Sequence, residues 1–130
     1  MELFNCDCYY EIFKYFNVNE LISYAIINKE NYLLIQKVIG KLHLTIKPKS
    51  NEQLIIFCNI RNLNLGWNEK ITDEGIKNLI NLKDLNLWRN EKITDEGIKN
   101  LINLKNLNLW RNEQITDEGI KNLINCKILR

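Results

Sequence analysis

The eleven residues ITDEGIKNLIN at 71–81 recur without a substitution at 93–103 and again at 115–125. Working outward, LKDLNLWRN at 82–90 is followed 22 residues later by LKNLNLWRN at 104–112, and IRNLNLGWN at 60–68 fits the same template. Asn68, Asn90 and Asn112 therefore mark a period of 22 residues. Strict self-similarity at a period between 20 and 50 residues implies stacked supersecondary units. Such an array offers a surface for binding, and no closed pocket is needed for that.

The spacing within each unit resembles L-x-x-L-x-L-x-x-N, the hallmark of leucine-rich repeat solenoids. That resemblance implies an α/β fold, with parallel strands on the concave face and short helices on the convex face. Alternation at Leu85 and Leu87 sends both side chains to one side of a strand, which is the core side. Asp84, Asn86 and Trp88 then point the other way, as do Asn106, Asn108 and Trp110, with Arg89 and Arg111 at the rim. Tryptophan and arginine dominate binding hot spots, so these eight residues are the candidate target-binding set. Self-packing of the Trp and Arg side chains by cation–π contact is the competing explanation. Gly66 and Trp67 stand at the corresponding places one unit earlier, which predicts a column broken there and binding toward the C-terminal half.

The Asn of each unit is expected to bond the backbone of neighbouring units at the turn, because buried polar groups need partners. Thr72, Thr94 and Thr116 are expected N-caps, followed by Asp and Glu at the positive end of a helix. Ile76, Leu79 and Ile80 fall at i, i+3 and i+4 and predict one helical side closing over the strand. Asp73 with Lys77, Asp95 with Lys99, and Asp117 with Lys121 are spaced for i,i+4 pairing. A degenerate leading unit starts near Ile39 and runs through Leu42 and Leu44. The last strand breaks off near Leu129, so the final helix is expected to be the least protected against hydrogen exchange.

The segment before Ile39 does not repeat and is rich in aromatics. Its aliphatic spacing predicts helices interrupted at Asn17-Val18-Asn19, where an Asn can cap a second helix, and a third helix over 28–38. The run from Phe4 through Asp7, Glu11, Ile12, Phe13, Tyr15 and Phe16 to Leu21 and Ile22 resembles the opening of an F-box. Tyr24 to Lys29 is similar to its later L-x-x-V-C-K element. Asn5 stands where the family has proline, Asp7 where it has Glu, and Asn31 at the later tryptophan position.

The resemblance implies an F-box-like helical segment at 1–38 and leucine-rich repeats at 39–130, a combination common in that family. It further implies a substrate-recognition subunit of an SCF-type cullin-RING ubiquitin ligase. Phe4, Ile12, Phe13, Phe16, Leu21, Ile22, Ile26 and Ile27 would contact the Skp-type adaptor, and the repeats would bind a protein target. Catalysis then comes from tethering, and the chain needs no nucleophile. A scaffold whose helices merely cap the array is the alternative.

Other classes fare poorly. A net charge of +2 with 26% charged residues is balanced, without the concentrated basic stripe of a nucleic-acid binder. No apolar run approaches the roughly 20 residues of a membrane span. Cys6-x-Cys8 with the single His43 lacks the second ligand pair of a zinc site, so no metal or cofactor is expected. One His and no Gly-rich phosphate loop argue against an enzyme. The four cysteines without a signal peptide point to a cytoplasmic or nuclear protein that is not secreted. The Asn-, Ile- and Lys-heavy vocabulary suggests an AT-rich genome, such as that of an amoebal organism or a large DNA virus. In the latter case the compartment would be the host cell's.

Overall fold

The computed structural model describes residues 17–39 and 48–130. The first predicted helix, with Phe4, Ile12, Phe13 and Phe16, lies outside the described residues, as do Cys6, Cys8, His43 and the leading strand near Leu42 and Leu44. Two helices come first, α1 (Val18–Ala25) and α2 (Lys29–Ile39), and then α3 (Asn51–Ile56). The rest alternates: β1 (Asn62–Asn64), α4 (Asp73–Ile76), β2 (Asp84–Asn86), α5 (Asp95–Ile98), β3 (Asn106–Asn108), α6 (Asp117–Ile120) and β4 (Lys127–Leu129). The strands form one parallel sheet in sequence order, with Leu63, Leu85 and Leu107 in register.

Each strand is short because its last Asn folds back on the chain. Asn64, Asn86 and Asn108 accept through Oδ1 from the backbone N–H two residues on, at Gly66, Trp88 and Trp110. These Asx turns compete with strand extension and end it. The paired leucines are buried as the alternation predicts: Leu63 with Leu65, Leu85 with Leu87, and Leu107 with Leu109.

The expected asparagine ladder is present in all three units. Asn90 is fully buried, and its Nδ2 donates to Leu65 O at 2.8 Å and Asn68 O at 3.0 Å. Its Oδ1 accepts from Lys92 N and Ile93 N. Asn112 repeats this with Leu87 O and Asn90 O, and Asn68 donates to Pro48 O. One amide thus fastens a turn to itself and to the unit before it.

The helices depart from expectation. Each repeat helix stops after four residues, so Ile76 and Leu79 are buried while Ile80 is exposed, as are Ile102 and Ile124. The chain continues in turns, with Leu79 N donating to Ile76 O and Leu82 N to Leu79 O. A unit of 22 residues must return to a strand only ~4.8 Å from the last, and a longer helix at 1.5 Å per residue would overshoot.

The Asp–Lys pairing is also corrected. Lys77 and Lys99 pair with Glu74 and Glu96 three residues back, at 2.7 and 2.5 Å, and Lys121 pairs with Glu118 in the same way. The aspartates serve the next unit. Asp73 accepts from Thr94 N at 2.8 Å and Thr94 Oγ1 at 2.7 Å, and Asp95 does the same for Thr116 at 2.8 and 2.6 Å. These bonds satisfy helix-start donors with a charged acceptor, which outweighs an exposed lysine pair. Thr94 and Thr116 also cap their helices through Glu96 N and Glu118 N, whereas Thr72 forms no side-chain cap.

Close approach of units explains the invariant glycine of ITDEG. A Cβ on Gly97 would lie 2.4 Å from Asp73 Oδ1. Asn51 takes the aspartate's place toward Thr72, accepting from its N–H at 3.1 Å and donating to its hydroxyl at 2.9 Å. So α3 stands one period before α4, and Leu54, Phe57 and Ile60 fill the buried places of Ile76, Leu79 and Leu82.

Asn17 caps α1 in a full capping box with Glu20, as the Asn-Val-Asn interruption predicts. Leu21 and Ala25 of α1 and Ile35, Val38 and Ile39 of α2 join one continuous core with the repeats. At the other end β4 slips by one residue, pairing Ile128 with Leu107 and Leu129 with Asn108. A one-residue slip exchanges faces, so Ile128 packs toward the core and Leu129 emerges on the concave side.

Candidate protein-binding surface

The sheet's open face forms a groove of about 490 Å³. Asp84, Asn86, Asn106 and Asn108 all line it, together with Asn62, Asn64 and Leu129, over a floor of Leu63, Leu85 and Leu107. Asn106 Nδ2 donates to Asp84 Oδ1 at 2.5 Å, and Asn62, with its amide nitrogen turned toward it, reaches Asp84 Oδ2 at 2.5 Å. The carboxylate is held between two amides. Since Asn86 and Asn108 spend their oxygens on the Asx turns, their amide N–H groups are what they offer a ligand. Burial first, then the Asp84 charge, pushes the Cys126 thiol above its ordinary value, which keeps it neutral behind the groove.

Trp88, Trp110, Arg89 and Arg111 are not part of the groove lining but form a cluster on the turns just beyond the strands. Trp88 and Trp110 stack with centroids 6.0 Å apart and planes at 20°. Trp67, which the repeat pattern left out, meets Trp88 edge-on at 5.8 Å and carries the Arg89 guanidinium 4.6 Å over its ring. Arg111 sits 4.5 Å over Trp110. The column is therefore extended at the first unit, contrary to the break expected there. The signal lay in the alignment: Trp67 precedes Arg89 by one full period of 22 residues, so the two are stacked neighbours.

These turns hold their residues in an unfavourable conformation. Trp67, Arg89 and Arg111 have φ of 59°, 48° and 56°. A bulky L-residue in the left-handed region costs roughly 1–2 kcal/mol, which is why glycine or asparagine is usual there. Three consecutive units hold a large side chain at that place. Trp67 N and Arg89 N donate to Trp88 O and Trp110 O of the next unit, so the backbone is pinned. The rings remain in contact with solvent, Trp67 at 56% and Trp110 at 45% exposed. Trp88 lies between them, and its Nε1 is buried with no hydrogen-bond partner among the described residues.

A family model described as Leucine Rich repeat matches residues 58–80, 78–102 and 100–123. The chain belongs to the leucine-rich repeat family. Comparison with curated proteins returns no match. In this leucine-rich repeat chain no helix among the described residues is long and apolar enough to cross a membrane.

The adaptor-binding set divides unevenly. Phe4, Ile12, Phe13 and Phe16 lie outside the described residues. Leu21 is fully buried against the core of the repeats, because an amphipathic helix docked on the array points its apolar stripe inward. Ile22 packs partly against the same core. Ile26 and Ile27, at the end of α1, are 70% and 68% exposed.

Proposed function

We propose that this leucine-rich repeat protein is a non-catalytic recognition module that binds a protein target through the Trp67, Trp88, Trp110, Arg89 and Arg111 cluster and the adjoining amide-lined groove. The observation that carries this is the three large side chains held at left-handed φ on successive turns. Backbone strain retained at a solvent-facing aromatic cluster is characteristic of functional sites. Asp84, Asn86, Asn106 and Asn108 supply polar contacts beside it. Replacing Trp88 and Trp110 together with alanine is expected to abolish target capture while shifting the unfolding free energy by no more than about 1 kcal/mol. A loss of several kcal/mol would assign the rings to the framework.

At finer grain, we infer a substrate-recognition subunit of an SCF-type ubiquitin ligase, with residues 1–38 contacting a Skp-type adaptor and 39–130 the target. Its support is the F-box resemblance over the leading segment and the exposure of Ile26 and Ile27. The adaptor contact then falls to Phe4, Ile12, Phe13 and Phe16 with Ile22, Ile26 and Ile27. The competing reading, a scaffold with a helical cap, draws on the burial of Leu21, Ala25, Ile35, Val38 and Ile39 in the shared core. Mixing the chain with purified adaptor separates the two. The ligase reading expects a complex that Ile26→Asp with Ile27→Asp abolishes, and absence of any complex leaves the scaffold.

A further inference from the structure

Stacking gathers a charge pattern that is dispersed in the sequence. Arg61, Lys83 and Lys105 stand just before the first residues of β1, β2 and β3, and their backbones are joined: Lys83 N donates to Arg61 O and Lys105 N to Lys83 O, each at 2.7 Å. The cations are therefore spaced at roughly the 4.8 Å of neighbouring strands. Around Arg61 and Lys83 the surface is hollowed into a second groove, which Lys37 of α2 also lines, with Gln36, Asn59, Asn81 and Asn103. No carboxylate lines it. Among the described residues none of these four cations forms an ion pair, whereas Lys77, Lys99 and Lys121 each pair with a glutamate on their own helix. Asp84, next in sequence to Lys83, is turned into the concave groove, where Asn106 holds it.

We propose that this edge is a second binding site, which takes an extended acidic peptide segment lying across the strand entrances. Three strands span about 10 Å, the length of roughly three extended residues, and alternate acidic side chains recur about every 6.7 Å. The flexible four-carbon stems of lysine absorb the mismatch with the strand spacing. Side-chain amides beside the cations suit the peptide's backbone carbonyls. Single-stranded nucleic acid fits less well, because it needs aromatic platforms interleaved with the cations. No aromatic lines this groove. The tryptophans stand five or more residues farther along the chain, past the Asx turns that end the strands. The site is separate from the Trp and Arg cluster and does not depend on the function proposed for it.

The test is fluorescence anisotropy of the full chain with a labelled ten-residue peptide of alternating Glu and Ser, its Gln counterpart, and a dT oligonucleotide, at low and at physiological salt. The acidic peptide is expected to bind, and to weaken as salt rises. Lys83→Gln with Lys105→Gln is expected to weaken it roughly fivefold to tenfold, as is Lys37→Gln with Lys105→Gln, two exposed residues. Lys70→Gln with Lys92→Gln, the same charge removed from the opposite rim, and Trp88→Ala are expected to leave it unchanged. Equal loss with either control, equal affinity for the Gln peptide, tighter binding of dT, or no binding would each overturn the proposal.

Discussion

The leading helices and the repeated array are built from the same aliphatic residues, yet their side chains meet by different rules. In the array the polar side chains that join units find their partners about one period away: Asn90 reaches Leu65 and Asn68, Asp73 reaches Thr94, and Asp95 reaches Thr116. In α1 and α2 nothing recurs, and Leu21 is sealed while Ile26, five residues on, is open to solvent. Repetition turns sequence distance into spatial distance. Without it, an apolar stripe does not reveal whether it faces its own molecule or another.

That contrast can be broken most severely at the ladder. Asn90→Ala removes the four hydrogen bonds of its amide, to Leu65 O, Asn68 O, Lys92 N and Ile93 N, with an expected cost of about 4 kcal/mol in urea unfolding. If the variant melts like the parent, the ladder is not what joins the units. In the leading helices Leu21→Ala should cost about 3 kcal/mol by the same measurement, as for a buried leucine. An unchanged midpoint would keep Leu21 in the adaptor-binding set. Next comes Asp95→Ala, expected to cost about 1.5 kcal/mol and to expose the amides of α6 to hydrogen exchange ahead of α5. Loss spread evenly over both helices would show that the Asp–Thr bonds do not couple neighbours.

The smallest effect is the most telling about function. Arg89→Gly removes two cation–π contacts but relieves a left-handed backbone, so stability is expected to stay within about 1 kcal/mol of the parent or rise. Target capture should nonetheless fall. A strongly destabilised Arg89→Gly variant would mean that the guanidinium is there to hold the turn, and the rim would lose its claim as a recognition surface.

Much of the array was legible. The period of 22 residues, the inward leucines, the asparagine ladder and the capping threonines at 94 and 116 all follow from local pattern and from the need to satisfy buried groups. The helix lengths and the Asp–Lys pairs were misjudged because both rest on helical spacing, and the tight return to the sheet stops each helix at its fourth residue. At the candidate surface the Trp and Arg identities were readable, but the division between groove and rim was not. Trp67 escaped because its partner lies in another unit, and the burial of Leu21 was not legible because the core it joins is made largely of residues from other elements.

The sequence alone determined that 22-residue units stack as parallel strands, since identical blocks carrying one apolar face have no other way to bury it. Only the tertiary structure decided which side chains became neighbours across units: Arg89 over Trp67, Asp73 on Thr94, three cations along one edge. The reason is that such contacts are set by the registration and turn geometry of adjacent coils, which a single strand's pattern does not contain.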